Sequence, residues 1–450
     1  MIQNPLNNAM RAALAILFSL GASVALAQDF TTLKGHGGPI MDIAISDTGQ
    51  IVTASFDNSV GLWTGRVPYW IEGHDAAVNT VWLNDEFGLS GGDDFRVLLW
   101  PLSGPETEPL ELIRHQGKVT DVAYHDNAGL FASASWDGTV AVRRIEQVWK
   151  ADEESLSTER VVLKGHAAGV NAVVFDNAGR LYSASADGTI RMWDAVLSET
   201  TARVIVSHGF GINELVLNET RGWLAYGAVD GVTRIIDMNT EEVIRDFTLD
   251  RRPILAMAYH SETSQLAVGD GQGYIMIIDT DAWKITRDFR ATRHGPVWAL
   301  AFSPEGETIY AGGLDDVAYG WPVALIDKHE PAMSGERSFL RSADTMPNGE
   351  RQFMRKCSIC HALEAGASRK AGPTLHGLFG RRAGTVPGYR YSPILVGSDI
   401  VWSEGTIDAL FDLGPDHYIP GSKMPMQRIA AHSDRDDLIT YLKSATRAGE

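Results

Sequence analysis

A segment that begins with Gly-His and ends with an Asp-Gly turn and a Trp-Asp pair recurs, with variations, seven times between about residues 30 and 325. The clearest copy runs from Gly165-His166 to Trp193-Asp194. The position of its tryptophan recurs at intervals of 37 to 50 residues, although three copies have another residue there. The seven positions are Trp63, Trp100, Arg143, Trp193, Ile236, Ile278 and Trp321. A unit of this length cannot bury a core alone, so the period predicts units that stack against their copies.

Each copy contains short runs of alternating residues separated by turn residues, as in Val170–Phe175 before Asn177-Ala178-Gly179. This pattern predicts four β-strands per copy. Over about residues 30–325 the chain resembles the WD-repeat β-propeller family. The resemblance implies a ring of seven blades that leaves only short exposed edges. It also implies that residues 29–34 supply the outer strand of the last blade.

Histidines near the start of the copies raise the hypothesis of a copper site. Six occupy this position: His36, His74, His115, His166, His208 and His294. In one copy Gln272 stands at the position of the turn aspartate. The other six copies carry the aspartate: Asp57, Asp94, Asp137, Asp187, Asp230 and Asp315. The resemblance implies that each histidine bonds within its own blade to this aspartate and to a strand Ser or Thr. Because the histidines would then be spread around the ring, we expect them to be structural.

The repeats carry no phosphate-binding loop, no serine-nucleophile motif and no H-E-x-x-H. We therefore expect a platform for protein binding, although the fold does not identify the ligand. The net charge of −18 excludes nucleic acid as an expected partner. Residues 343–450 hold 13 Lys and Arg against 12 Asp and Glu, a net charge of +1, so residues 1–342 carry −19.

The first 27 residues have the pattern of a secretory signal. Arg11 precedes the apolar run A-A-L-A-I-L-F-S-L-G-A-S-V-A-L-A, which ends with the small-x-small site Ala25-Leu26-Ala27. The alternative is an uncleaved anchor, for which the run is short. No later apolar segment is long enough to span a membrane. We expect export to a bacterial periplasm.

The only two cysteines of the chain, Cys357 and Cys360, lie in K-C-S-I-C-H, and His361 follows the second directly. Three chemistries use such a pair: dithiol redox exchange, zinc binding with two further ligands, and covalent haem attachment with the histidine on the iron. In an oxidising compartment an isolated pair would form a strained disulfide. Thioether bonds to haem explain why both thiols persist.

Residues 327–342 are polar and mixed, which indicates a linker. Beyond it, about residues 345–447 resemble class I cytochrome c, through G-E-R-Q-F-M-R-K-C-S-I-C-H, K-A-G-P-T-L-H-G-L-F-G-R-R-A-G, P-G-Y-R-Y-S, V-W-S-E, Y-I-P-G-S-K-M and D-D-L-I-T-Y-L-K. We therefore predict a multidomain chain: signal 1–27, all-β seven-bladed propeller 28–326, linker 327–342 and all-α cytochrome c domain 343–450.

The resemblance assigns roles to individual residues. It implies one haem c, attached through thioethers to Cys357 and Cys360, with His361 and Met424 as iron ligands; Met426 is the rival to Met424. The Pro373 carbonyl accepts the histidine N–H in the family. The haem propionates bind at positions that correspond to Arg381, Tyr391, Trp402 and Ser422. Four positions correspond to the packing of the first helix on the last: Gly349, Phe353, Leu438 and Tyr441.

Two departures from the family pattern concern the haem surroundings. Phe411 stands where the family usually has a tyrosine near the methionine sulfur, so a hydrogen bond is missing there. Asp416 and His417 replace two lysines of the ring that many members use for docking, whereas Lys356 and Lys423 remain. The usual docking partner is therefore in doubt.

These observations predict a monomeric periplasmic c-type cytochrome that carries single electrons, is not an enzyme, and uses its propeller to dock a partner redox protein. An alternative, by analogy, is a redox enzyme with a second cofactor in the propeller and the haem as electron exit. A third is a sensor whose haem reports redox state to a protein bound by the propeller.

Overall fold

The structure, a computed structural model, describes residues 31–102, 108–144, 160–194, 202–248, 253–292, 295–328, 346–358, 360–366, 370–424 and 427–447. The predicted signal 1–27, most of the predicted linker, His294 and Met426 lie outside the described residues. The first two residues of the predicted linker end a 3₁₀ helix, Val323–Lys328, that follows the last strand of the propeller.

Seven four-stranded antiparallel sheets form the N-terminal part of the chain. Blades 1 to 3 each use four consecutive strands. Blade 1 contains β2 (Ile40–Ile45), β3 (Ile51–Ser55), β4 (Ser59–Thr64) and β5 (Val67–Glu72). Blade 2 contains β6 (Val78–Leu83), β7 (Phe87–Gly92), β8 (Arg96–Pro101) and β9 (Leu110–Arg114). Blade 3 contains β10 (Val119–His125), β11 (Leu130–Ser135), β12 (Thr139–Arg144) and β13 (Val161–Lys164).

Blades 4 to 6 repeat this order, and blade 7 differs in its outer strand. Blade 4 contains β14 (Val170–Phe175), β15 (Arg180–Ser185), β16 (Thr189–Asp194) and β17 (Ala202–Ser207). Blade 5 contains β18 (Ile212–Asn218), β19 (Trp223–Ala228), β20 (Thr233–Asp237) and β21 (Val243–Asp246). Blade 6 contains β22 (Ile254–His260), β23 (Gln265–Asp270), β24 (Tyr274–Asp279) and β25 (Lys284–Arg290). Blade 7 contains β26 (Val297–Phe302), β27 (Thr308–Gly313), β28 (Val317–Pro322) and β1 (Thr31–Lys34).

The N-terminal strand closes the ring, as the family resemblance implied. β1 pairs antiparallel with β28, with Leu33 opposite Ala318. The first strand of each blade contacts the first strands of its two neighbours, including β2 against β26, so these seven strands form the inner ring. At the closure, a Cβ on Gly312 would lie 2.5 Å from Ile40, so glycine permits the close approach of blade 7 to blade 1. Pairing and packing both close the propeller.

The repeat histidines bond within their blades. His36, His74, His115 and His166 each donate from Nδ1 to the turn aspartate over 2.9–3.1 Å. Each also accepts at Nε2 from a strand hydroxyl over 2.7–2.8 Å. His208 differs, because it contacts Asp230 through Nε2 and the Tyr226 hydroxyl through Nδ1. The structural role is confirmed for these five histidines, and only His208 lacks the expected Ser or Thr.

The C-terminal part of the chain is a small helical domain. Its helices are α1 (Asn348–Lys356), α2 (Pro393–Val396), α3 (Glu404–Leu413), α4 (Pro415–Tyr418) and α5 (His432–Ala445). Helix α1 crosses α5 at Gly349, where a Cβ would lie 2.1 Å from the Asp437 carbonyl oxygen. Phe353 and Tyr441 pack at the same crossing, with ring centroids 5.5 Å apart. The predicted interlocking of small and large residues is confirmed.

Helices α1, α3 and α5 share one apolar cluster. Phe353, Ile407, Leu410, Leu438 and Leu442 are all at least 94% buried within it. Helix α3 begins with a capping box, in which the Ser403 hydroxyl accepts from the Thr406 N–H. Among the described residues, no helix has the length and hydropathy that a membrane crossing requires.

Candidate functional site

The helical domain and one face of the propeller enclose a cavity of about 670 Å³. The structure brings all nine residues of the predicted haem site to its wall: Cys357, Cys360, His361, Pro373, Arg381, Tyr391, Trp402, Ser422 and Met424. The volume lies in the range of pockets that bury an organic cofactor.

The turn after α1 presents both thiols and the imidazole to this cavity. The backbone N–H groups of Cys360 and His361 both donate to the Cys357 carbonyl, over 3.1 and 2.9 Å. Burial raises the pKa of the Cys357 thiol to about 12 and that of Cys360 to about 11. A reactive dithiol needs the opposite shift. Burial of the two thiols therefore disfavours thiol–disulfide exchange.

The His361 ring is held by one hydrogen bond. Its Nδ1–H donates to the Pro373 carbonyl oxygen over 2.7 Å. Because a carbonyl only accepts, the neutral ring keeps an unprotonated Nε2. Burial lowers the pKa of His361, which favours this neutral form. A Cβ on Gly372 would lie 2.4 Å from His361 Cε1, so glycine leaves room for the ring.

The zinc interpretation of the cysteine pair lacks its remaining ligands. Zinc needs four donors. Within the described part of the chain, the group of acidic and histidine side chains close enough to share a metal is Asp408, His432 and Asp436, which does not include the cysteines. The donors at the cavity are thiols, an imidazole and the Met424 thioether, a set that fits attached haem.

The loop between α4 and α5 brings Met424 to the cavity. Gly421 turns this loop with φ = +84°, and the Ser422 N–H donates to the Ile419 carbonyl over 3.0 Å. Met424 packs on the apolar cluster of the helical domain. Phe411 is 4% exposed and also lines the cavity. No hydroxyl therefore comes from this position.

Side chains with polar groups also line the cavity, and we call them its polar wall. The Arg381 guanidinium donates to the carbonyls of His376 and Thr374, over 2.5 and 2.8 Å, and this fixes its charge at the wall. The Tyr391 hydroxyl accepts from the Val386 N–H over 3.3 Å. Trp402 bonds through its backbone to Gly380 and Arg381, and it also lines the cavity.

Two buried hydroxyls at this cavity have no partner among the described residues. They belong to Ser422 and Ser392, and both line the cavity. A buried hydroxyl without a hydrogen bond is unfavourable. A ligand carboxylate would satisfy them, and the Arg381 charge complements it. These observations, with the space that Gly372 leaves, show that the residues present fit a haem with propionates.

Sequence reasoning missed two residues of this wall. Ser392 is the first, and Tyr389 is the second: its hydroxyl donates to the Ala371 carbonyl over 2.6 Å. Burial, with the neighbouring Tyr391 and Cys360, raises the pKa of Tyr389 to about 12, so it remains a donor. Both belong to the P-G-Y-R-Y-S motif, and this motif is the sequence feature that could have indicated them as residues of the haem site.

Comparison with known proteins identifies the helical domain. The Cytochrome c family matches residues 347–446. Cytochrome c of Sesamum indicum is 46% identical over 101 residues, which cover 22% of this chain and 88% of that protein. Cytochrome c of Ginkgo biloba is 45% identical over 98 residues, which cover 22% of this chain and 86% of the relative.

Through this domain, the chain belongs to the cytochrome c family. The helical domain is therefore called the cytochrome c domain below. Membership implies electron transfer through a covalently bound haem c.

The propeller matches a second family. The family described as WD domain, G-beta repeat matches residues 28–64, 107–142, 157–194 and 283–321. The solved WD40 β-propeller domain of Doa1 aligns with a TM-score of 0.55 and 22% identity, covering 64% of this chain and 94% of that domain. This likeness concerns the fold alone. The chain is thus a WD-repeat propeller fused to a cytochrome c domain, with the propeller as an interaction platform.

The propeller supplies part of the cavity wall. The contributing residues lie in turns on one face of blades 1 to 3 and include Phe56, Asn58, Asp75, Phe95, Lys118 and Trp136. We call these six residues the blade 1–3 surface. Asp75 contacts Arg390 over 2.7 Å and Lys423 over 3.0 Å, both in the cytochrome c domain. Arg390 also donates to the His74 carbonyl over 3.3 Å.

Burial tends to raise the pKa of the Asp75 carboxyl, but Lys423, Arg390 and Arg96 together lower it. The carboxylate is therefore charged at neutral pH. No sequence motif indicates this contact, because Asp75 occupies the position after a repeat histidine, which differs from one repeat to the next.

Proposed function

We propose that this chain is an exported carrier of single electrons that holds one haem c in the described cavity. The arrangement of Cys357, Cys360, His361 and Met424 around one cavity is the observation that carries the proposal. When bound, the haem supplies reversible one-electron transfer at its iron. The residues of the chain attach the group, orient it and exclude water.

The two cysteines, of which Cys357 is buried and Cys360 half-buried, would hold the haem through thioethers at the wall of the cavity. His361 would bind the iron through Nε2, because the Pro373 carbonyl occupies the Nδ1 side. That hydrogen bond fixes the ring and increases its donor strength. The Met424 thioether would complete the coordination, and a soft neutral sulfur favours the reduced iron.

The polar wall would receive the haem propionates. Ser422 and Ser392 offer hydroxyls that lack partners, and Arg381 offers a positive charge. Tyr391 and Trp402 stand at the same wall. Donors of this kind keep a buried carboxylate ionised, which would otherwise take up a proton.

The propeller would serve as a docking platform for a partner redox protein rather than as the holder of a second cofactor. The five described repeat histidines already bond within their blades, which removes them as free metal ligands. The signal pattern of residues 1–27 supports a periplasmic location for this docking. We propose that the mature chain acts as a monomer without a membrane span.

The test is expression of the full chain in a bacterium with a c-type haem maturation system, followed by cell fractionation and spectroscopy. We expect a red periplasmic protein with one haem per chain, a sharp band on reduction and a methionine–iron charge-transfer band on oxidation. His361→Ala should abolish six-coordinate low-spin haem. His376→Ala is the matched control, because that histidine does not line the cavity. A colourless mature product would refute the proposal.

A further inference from the structure

The blade 1–3 surface lies where an external electron-transfer partner would approach the haem. It shares one cavity wall with the two cysteines, His361 and Met424. Electron transfer between proteins requires a partner to come close to the haem edge. We propose that the propeller is a built-in competitor for this edge: Asp75 holds its blade 1–3 surface on the cytochrome c domain, and an external partner gains access when this contact opens. The inference rests on the proposed haem site.

The charges at the contact support competition. Lys423 and Arg390 are cations of the cytochrome c domain, and both are directed to the single Asp75 carboxylate. An acidic redox partner would use the same two cations, because charge complementarity steers such encounters. Lys423 is one of two lysines left from the docking ring. Asp75 therefore occupies the position that an acidic partner would take.

Aromatic side chains of the blade 1–3 surface also lie at the cavity. Trp136 and Phe95 line the cavity although 59% and 41% of their surfaces remain exposed. The Lys118 Nζ lies 3.4 Å from the centre of the Trp136 ring, and this cation–π contact holds the indole at the cavity mouth. Exposed aromatic surface beside a paired carboxylate is typical of docking surfaces between proteins.

The contact has the properties of a reversible one. Asp75 and Arg390 remain 43% and 66% exposed, so solvent and salt screen their attraction. The observed ion pairs across this contact converge on one carboxylate rather than forming a dispersed network. Beside them, Arg390 donates one long hydrogen bond to the His74 carbonyl, over 3.3 Å. A contact of this size can open without unfolding either domain.

The experiment uses the full-length haem-loaded protein and the variant Asp75→Lys, which places a cation opposite Lys423 and Arg390. We expect a larger radius of gyration by small-angle X-ray scattering. We also expect electron transfer to an acidic blue-copper protein to become about tenfold faster, because the cations are exposed. Electron transfer with ascorbate, a small reagent, should change less than with the protein.

Asp246→Lys is the matched control. Asp246 is also paired with an arginine, Arg234, on the propeller, so the charge change is the same. It does not line the cavity, and its variant should leave both measurements unchanged. If Asp75→Lys expresses poorly, Asp75→Asn is the alternative, because it removes the charge with little change of shape. It should also increase the radius of gyration and the rate of electron transfer to the blue-copper protein.

The outcomes separate this inference from the proposed function. An unchanged radius of gyration, or a larger one with an unchanged rate to the blue-copper protein, overturns the competitor role. Absence of haem from the wild-type protein refutes the proposed function instead, whereas the scattering of the same sample still reports whether Asp75 holds the two domains together.

Discussion

Lys423 lies 3.0 Å from Asp75, although 348 residues separate them in the chain. Lys423 directly precedes Met424, the candidate iron ligand. The ion pair therefore connects a propeller blade to the loop that completes the proposed coordination. The same loop therefore contacts the propeller through Lys423 and carries the candidate iron ligand Met424.

Met424→Leu tests the proposed coordination. The change keeps an apolar side chain but removes the sulfur, so we expect the charge-transfer band to disappear and carbon monoxide to bind. The reduction potential should fall by on the order of 0.1–0.3 V, because axial ligands set much of a haem's potential. Absorption spectroscopy and voltammetry measure these changes.

Met354→Leu is its control. Met354 belongs to the same apolar cluster but does not line the cavity. Its replacement should leave the spectrum and the potential in place. Equal spectra for the two variants would contradict the assignment of Met424.

Gly349→Ala tests the helix crossing that supports the haem site. The added Cβ would lie 2.1 Å from the Asp437 carbonyl oxygen, and backbone cannot yield easily. We expect the free energy of unfolding of the cytochrome c domain to fall by about 2–4 kcal/mol. Denaturant titration followed at the haem absorption band measures it.

Gly405→Ala is the matched change in another helix of the same domain. Nothing lies within 4 Å of its Cβ position. It should raise the free energy of unfolding by about 0.5–1 kcal/mol, since alanine favours helix. Similar losses for both glycines would argue against the crossing.

The local features were predictable, because the residues that make them are close in sequence or recur with a period. C-S-I-C-H fits in five residues, and the repeats mark every blade. Ile236 and Ile278 stand in place of the repeat tryptophan, yet blades 5 and 6 form, since both side chains are buried, with exposed fractions of 3% and 0%. Asp75 belongs to no motif, and its partners lie in another domain. Sequence patterns carry no information about such a pair.

The inner strands predict a dependence of propeller stability on pH. Asp42 lies on β2, Asp121 on β10 and Glu214 on β18. Burial raises the pKa of Asp121 to about 7 and that of Asp42 to about 6, from 3.8, and raises that of Glu214 well above its ordinary value. Through these three carboxyls the folded protein binds more protons than the unfolded chain between about pH 4 and pH 7. Burial also lowers the pKa of His115 and His166, and these two groups act in the opposite sense below about pH 6.5. The contribution of the three carboxyls to propeller stability should fall as the pH rises through this window.

Asp121→Asn should remove part of this slope. We expect the loss of unfolding free energy between pH 5 and pH 7.5 to shrink by about 1–2 kcal/mol relative to the wild type. Denaturant titrations at both pH values measure it. Asp246→Asn, a change at the surface, should keep the wild-type slope. A slope that is the same in both variants would mean that Asp121 is not the group that takes up the proton.

Ser183→Ala tests the histidine network of blade 4. The Ser183 hydroxyl contacts His166 Nε2 and Trp193 Nε1, each over 2.8 Å, and both partners are buried. The variant would leave two buried polar groups unpaired, so we expect the propeller to lose about 2–3 kcal/mol of stability. Ser207→Ala, at an exposed position of β17, should change it little. Thermal unfolding by circular dichroism compares them.

The pairing of β1 with β28 also sets an order of events during synthesis. The first strand leaves the ribosome early, and its neighbour in blade 7 arrives only after nearly all other blades have been made. Until then β1 has no partner strand and its edges are free, and contacts of such long sequence separation form slowly. A nascent chain of this protein therefore needs protection from edge-to-edge aggregation over most of its translation.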